Sequence, residues 1–324
     1  FCFIFLSAIN VEYFEGYFGK QHADSDCGFA EEYEELKTVG TLQSTQVSQQ
    51  TLNKPKNRYN NVLPYDISRV KLSLTSEPCS DYINANFMPG YNSKKEFIAA
   101  QGPLMNTVND FWRMIWEYHV PAIVMLTKCV EQGRAKCEQY WPTERPLIIE
   151  DKIVTLTSEV IDQDWTIRNF SIVKDKYGQK YNVRQFHFTG WPDHGVPSTT
   201  GVLIEFSKLV RHYINQHKMS GPTLVHCSAG VGRTGTFISI DHMIHQIDYK
   251  KKVDIWGTVY QLRMNRPLMV QTESQYVFLN QCALEYIKSS KQHTEEAIYE
   301  NTPALIYENV SAVRAAQETN GHRF

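Results

Sequence analysis

The sequence predicts one α+β (mixed α/β) domain, a twisted mixed β-sheet flanked by helices. Short apolar runs that read as strands alternate with longer amphipathic runs that read as helices, without a strict βαβ rhythm. No repeat of domain size is present. A chain of 324 residues with 42% hydrophobic and 12% aromatic content can bury one large core.

Phe1 to Ile9 is apolar apart from Ser7, too short to cross a bilayer, which takes about 20 residues. It reads as the end of a truncated transmembrane helix or as an unrelated leader, and no Lys/Arg cluster follows it. The first residue is Phe rather than Met, which suggests a fragment or a processed form. Residues 10 to about 37 read as helical, with Val11, Phe14, Tyr17 and Phe18 on one face before an acidic run around Glu31–Glu35. Residues 41–53, rich in Thr, Gln and Ser, read as a linker or flexible loop. Strands are expected at 97–100, 121–127, 153–157, 166–173, 183–189 and 222–226. A helix at 107–119 would open with a weak capping box, Thr107-x-x-Asp110. A second, at 198–216, would open at Ser198 and turn Val202, Leu203, Phe206, Leu209 and Val210 inward. The third and fourth fall at 235–249 and at 272–287, the latter opened by Thr272-x-x-Gln275. From about 291 the chain is polar and aperiodic and reads as a tail.

A net charge of −2 leaves no nucleic-acid footprint. Seven scattered cysteines (2, 27, 79, 129, 137, 227 and 282) are an odd number in a large chain, which argues for a reducing compartment rather than a disulfide framework. Cys129 and Cys137 are too far apart for a CxxC metal pair and read as structural.

The chemistry concentrates at His226-Cys227-Ser228-Ala229-Gly230-Val231-Gly232-Arg233-Thr234-Gly235. A strand-like run leads in at Pro222–Val225 and a helix-like run leads out at Thr236–Ile247. A tight loop there aims successive N–H groups inward at a helix N-terminus, which makes an anion cradle. The Arg233 guanidinium suits phosphate oxygens, and the Cys227 thiol in that field ionises readily and becomes a nucleophile. Two other interpretations attach to these residues. Gly230, Gly232 and Gly235 spell a dinucleotide-binding fingerprint with Asp254 about 20 residues on, although no clear second parallel strand follows. Cys227 with Arg233 alone would read as a buried structural cysteine, and the flanking His226, the glycines, Thr234 and the helix entry favour the nucleophile instead. Phosphate-ester cleavage also needs a proton donor, and Asp193 in Trp191-Pro192-Asp193-His194-Gly195-Val196-Pro197 is the candidate. Trp191 could anchor a hinge there. An ordinary turn aspartate before a helix cap fits the same residue.

Trp-Pro-Asp followed by His-Cys-x5-Arg-Thr resembles the classical protein tyrosine phosphatases, and further motifs stand in the family's order. These are Lys56-Asn57-Arg58-Tyr59, Asp81–Asn86, Ile98–Pro103, Lys136–Pro142 and Gln271–Tyr276. The segments Glu12–Phe18, Gln21–Ser25 and Cys27–Tyr33 are similar to the juxtamembrane region of the family's receptor-type subgroup with one catalytic domain. The resemblance implies the cysteine-phosphatase fold. It divides the chain into a juxtamembrane or leader segment (1–28), a catalytic domain (29–290) and a flexible tail (291–324).

Roles follow from the same resemblance. Cys227 becomes the nucleophile of a phosphocysteine intermediate. The amides of Ser228, Ala229, Gly230, Val231, Gly232 and Arg233, with the Arg233 guanidinium, hold the phosphoryl oxygens. Thr234 hydrogen-bonds the thiolate, and Asp193 acts as acid and then as base. Gln271, supported by Gln275, positions water. Tyr59 flanks the substrate ring, and a deep pocket excludes phosphoserine and phosphothreonine. Glu131 and Lys136 orient the arginine and the closing aspartate, and His226 tunes Cys227. Asn60 and Asn61 stand where some members carry charges that contact the substrate peptide. No metal or other cofactor is implied.

The implied partners are phosphotyrosine proteins, on the cytoplasmic side of the plasma membrane. In the tail, Ile298-Tyr299-Glu300-Asn301 and Ile306-Tyr307-Glu308-Asn309 resemble sites for kinases and then for SH2 adaptors. The alternatives are a catalytically inactive phosphotyrosine-binding module and a dual-specificity phosphatase.

Overall fold

The computed structural model describes residues 8–74, 80–174, 178–193, 195–217 and 221–291. Cys2, Cys79, His194, Tyr299 and Tyr307 lie outside the described residues. The centre is a nine-stranded mixed sheet in the order Arg69–Lys71, Tyr82–Met88, Phe97–Ala100, Thr223–His226, Ala122–Met125, Lys180–Phe188, Trp165–Lys174, Lys152–Ile161 and Leu147–Ile149. Thr223–His226 runs parallel to both of its neighbours, and Ala122–Met125 runs parallel to Lys180–Phe188. The remaining pairings in this sheet are antiparallel.

The central strands are buried on both faces, and the period of two sorts their side chains into two cores. Leu224, Ile123 and Met125 face the helix Val108–Glu117, whose Phe111, Trp112 and Ile115 are buried against them. Val225, Ala122 and Val124 face the opposite core. That core is built from Gly201–Gln216, Gly232–His245, Ile255–Asn265 and a last helix at 273–291.

The six expected strands form, while Tyr82–Met88 was missed because Asn84 and Asn86 interrupt its apolar pattern. The helix Ile255–Asn265 was also missed, and it disposes of the dinucleotide alternative. Asp254 is its N-cap, accepting from the Gly257 amide at 2.7 Å, and has no ribose-binding part to play. The expected capping box at Thr107 is absent, because Thr107 Oγ1 instead accepts from the Leu104 amide at 2.9 Å in the preceding turn. The second helix begins at Gly201, not Ser198. The box at Thr272 does form, with Gln275 Oε1 on the Thr272 amide and Thr272 Oγ1 on the Gln275 amide.

Residues 41–53 are a fastened loop rather than a linker. Asp66 accepts from Ser44 Oγ and from the Gln46 and Val47 amides, and Asn53 is buried. The first helix, Phe14–Leu36, breaks at Ala23–Asp26, where Asp24, Ser25 and Asp26 take φ of 50°, 61° and 69°. Glu32 in its acidic run is buried rather than solvated, accepting from Tyr17 and Tyr276 hydroxyls. Upstream, Ile9–Asn10 pairs antiparallel with Lys252–Val253, so the N-terminal segment packs directly on the body of the domain. The described cysteines (27, 129, 137, 227 and 282) are all free thiols.

Candidate active site

Thr223–His226 delivers Cys227 at its C-terminal end, and Gly232–His245 begins five residues later, earlier than the sequence pattern indicated. The intervening turn requires Gly230. Its φ is +72°, and a Cβ there would lie 2.1 Å from the Ala100 carbonyl oxygen. The Gly230 amide points back at Cys227 Sγ, at 3.3 Å.

A cavity of about 460 Å³ opens over this turn. Cys227, Ser228, Ala229, Gly232, Arg233, Asp193, Gln271, Gln275, Tyr59, Glu131 and Lys136 line it, joined by Asn61 from the rim. Residues separated by more than two hundred positions therefore meet as the sequence predicted. Gly230, Val231, Thr234, His226 and Trp191 do not line it. Gly230 and Val231 shape the turn from behind. Thr234 departs from expectation. Its Oγ1 is buried with no hydrogen-bond partner among the described residues, and the donor found at Sγ is the Gly230 amide.

Arg233 is held in a fork. Its Nη1 donates to Glu131 Oε1 at 2.6 Å and its Nη2 to Glu131 Oε2 at 3.0 Å. Burial opposes the Glu131 charge, but the bonds and field of Arg233 outweigh it and hold the carboxyl below its ordinary value. Nη1 also reaches the Leu126 carbonyl at 3.1 Å. On its other side Nη2 donates to the Pro192 carbonyl at 3.2 Å, which draws the loop bearing Asp193 over the cradle. Trp191 is buried, places its ring 5.6 Å from the Arg233 guanidinium and donates to the Gly195 carbonyl.

The opposite wall is equally fastened. Ser228 Oγ donates its one hydrogen to the Lys136 carbonyl at 2.8 Å, so at 2.9 Å the Tyr59 hydroxyl must be the donor to Ser228 Oγ. Arg58 anchors the Tyr59 segment through the Gly102 and Pro103 carbonyls. Gln275 Oε1 accepts from the Gln271 amide at 2.9 Å, which fixes Gln271 at the cavity edge.

Beneath the loop lies a functional residue that the sequence reading missed. Arg266 is fully buried and donates to the Gly230 and Ala229 carbonyls at 2.8 and 3.0 Å, and to Asn86 and Asn84 Oδ1 at 2.8 Å each. By occupying the loop carbonyls from below, it leaves the amides to face the cavity. The available signal was the pair of asparagines two apart on one strand, which demands a buried donor.

His226 is buried and neutral. Its Nδ1 faces the Cys227 carbonyl at 3.1 Å, an acceptor only, so Nδ1 carries the hydrogen. Nε2 then accepts from the Tyr140 hydroxyl at 2.9 Å, which accepts from Gln185 Nε2 at 2.7 Å. Burial pushes the His226 imidazole down to about 3 and the nearby His187 to about 4. Both fall below the value of about 6.5 for a free imidazole, so below that pH the unfolded chain binds protons the folded one refuses. Stability is therefore complete above pH about 6.5. It falls as the solution is acidified towards about 4, by about 1.4 kcal/mol per pH unit for each fully excluded histidine. Denaturant melts across this window should show that slope, and His226→Asn should flatten it.

A family model described as protein-tyrosine phosphatase matches residues 53–285. Human receptor-type tyrosine-protein phosphatase eta is 59% identical over 315 residues, covering 97% of this chain and 24% of the relative. Human receptor-type tyrosine-protein phosphatase H is 48% identical over 311 residues, 95% of this chain and 28% of that protein. A rat protein named phosphatidylinositol phosphatase PTPRQ is 47% identical over 274 residues, 83% of this chain and 12% of its own length. The chain thus spans about a quarter of the length of the first of these relatives.

Proposed function

Because the chain belongs to the protein-tyrosine phosphatase family, we propose that this cavity hydrolyses phosphotyrosine in proteins by two phosphoryl transfers through Cys227. In the first, the Cys227 thiolate forms a sulfur–phosphorus bond as the phosphorus–oxygen bond to tyrosine breaks. Asp193 gives its proton to the departing phenolic oxygen. The loop amides and the Arg233 guanidinium, whose Nε–H is left over from its bonds to Glu131, Leu126 and Pro192, hold the three non-bridging oxygens throughout. In the second transfer, Asp193 takes a proton from a water positioned by Gln271. That water attacks phosphorus and inorganic phosphate leaves, restoring the thiolate.

The observation that carries this proposal is the convergence of Cys227, Arg233, Asp193 and Gln271 on one cavity with Tyr59 in its wall. Tyr59 lines the cavity, where its ring would flank an aromatic substrate, and a pocket deep enough for phosphotyrosine would keep the shorter phosphoserine and phosphothreonine from the thiolate. An inactive binding module would lack one of nucleophile, acid or arginine, and all three are present here.

Asp193→Ala should lower kcat by roughly 10²- to 10⁴-fold while substrate still binds. Phosphotyrosine, phosphothreonine and phosphoinositide substrates presented to wild type and variant test the substrate class. Preferential turnover of phosphotyrosine is the expected result. Comparable phosphothreonine turnover would instead support a dual-specificity enzyme, and a phosphoinositide preference would align the chain with the relative named for that substrate. The proposal extends to the catalytic domain of a membrane receptor, on the cytoplasmic face. Tyr299 and Tyr307 serve as kinase targets that then recruit SH2 adaptors. Recovery of no such adaptor by the phosphorylated tail peptide would remove that last part.

A further inference from the structure

We propose that Arg168, outside the cavity, is a positioning residue for both halves of the site: it fixes the direction of two buried hydrogen-bond chains that end behind Cys227 and Arg233. The proposal rests on the function above for what those two residues do. Arg168 lies in the strand Trp165–Lys174 and is not among the residues lining the cavity. Its Nε donates to Glu159 Oε2 at 2.5 Å, and its guanidinium sits 4.8 Å from the Trp141 ring. Nη1 sends its two hydrogens to Gln185 Oε1 at 2.9 Å and to His187 Nδ1 at 3.3 Å.

A guanidinium only donates, so each group that accepts from it presents its own hydrogen on the far side. In the first chain, Gln185 turns Oε1 to Arg168 and Nε2 to the Tyr140 hydroxyl, at 2.7 Å. Tyr140 passes its hydrogen to His226 Nε2 at 2.9 Å, and His226 Nδ1 donates to the Cys227 carbonyl at 3.1 Å. Every bond thus runs from the cation towards the peptide group of the nucleophile. In the second, His187 accepts at Nδ1, so Nε2 carries its hydrogen and donates to the Thr127 carbonyl at 2.9 Å. That bond anchors the segment that holds Arg233 in place. Leu126 offers its carbonyl to Arg233 Nη1, while Thr127 Oγ1 and the Lys128 amide reach Glu131 Oε1 at 3.0 and 3.2 Å. Gln185, Tyr140, His226 and His187 are all buried, so water does not set these directions. Without Arg168 the Gln185 amide is free to turn over, Tyr140 can donate to it instead of to His226, and His187 can move its hydrogen to Nδ1.

The test reads the two ends separately in the full chain, at a temperature where every variant is folded. The first reading is the rate at which iodoacetamide alkylates Cys227, followed on its own peptide by mass spectrometry. The second is the concentration of inorganic phosphate that halves this rate. Arg168→Met should slow alkylation and raise the protecting concentration, each by roughly 3- to 30-fold. Arg168→Lys keeps a head that only donates, and should recover part of both. Gln185→Leu cuts the first chain alone, so it should slow alkylation and leave phosphate protection within about two-fold of wild type. Arg184 is the control, a half-buried arginine of the neighbouring strand bound to Asn169 Oδ1 at 2.7 Å. Arg184→Met should lower the melting temperature and leave both readings within about two-fold. An Arg168→Met variant that matches Arg184→Met in both readings overturns the proposal, and so does an Arg168→Lys variant no closer to wild type than Arg168→Met. Neither reading uses turnover, so a wild type that hydrolyses no phosphotyrosine would defeat the function proposed above without deciding this one.

Discussion

Cys227→Ser should leave a folded protein whose phosphotyrosine turnover falls by at least about 10⁴-fold. The serine hydroxyl fits the same turn, since its oxygen can accept from the Gly230 amide as the sulfur does. It stays protonated near neutral pH and is a weak nucleophile. His226, the adjacent residue, spends its one N–H on the Cys227 carbonyl and turns its lone pair to Tyr140. His226 is therefore not placed to activate an alcohol at residue 227. Melting temperature should stay close to wild type while single-turnover kinetics show no phosphoenzyme. Activity within a few per cent of wild type would remove Cys227 from the reaction.

The largest effect on stability is expected at Arg266. Arg266→Leu leaves the carbonyls of Ala229 and Gly230 and the side-chain oxygens of Asn84 and Asn86 facing a buried apolar group. Stranding several buried acceptors at once costs about 3–5 kcal/mol. In a domain of this size that is a fall of roughly 10 °C in Tm. The inhibition constant for vanadate or inorganic phosphate should rise as well, because the loop carbonyls are released to compete for the cavity. A Tm within about 2 °C of wild type would show that these acceptors find other donors. Arg266→Lys should recover part of the loss, one ammonium being unable to reach all four oxygens.

Sequence made the reacting groups legible because their chemistry needs particular residue types at fixed spacing. Cys227 and Arg233 had to stand with five residues between them to flank one turn, and the apolar lead-in at Leu224 and Val225 named the strand. Asp193, Gln271 and Tyr59 were placed through family resemblance, since no local pattern joins loops that far apart in the chain. Supporting parts were less visible. Tyr82–Met88 was hidden by asparagines whose partner, Arg266, lies about 180 positions away, and Ile255–Asn265 by the mixed charges just before it. Thr234 was assigned to the thiolate by analogy, and the contact found there is a backbone amide.

The fork of Arg233 has a thermodynamic consequence. The guanidinium that would receive phosphoryl oxygens also donates to the Pro192 carbonyl, in the loop that carries Asp193. Oxyanion binding and loop position are then linked equilibria, and reciprocity fixes their relation. If an anion favours the closed loop by some factor, closure raises the affinity for that anion by the same factor. Substitutions at Trp191, or in the hairpin of Val130–Glu131 with Arg134–Ala135 that presents Glu131, can thus retune phosphate affinity without altering any atom that contacts phosphate.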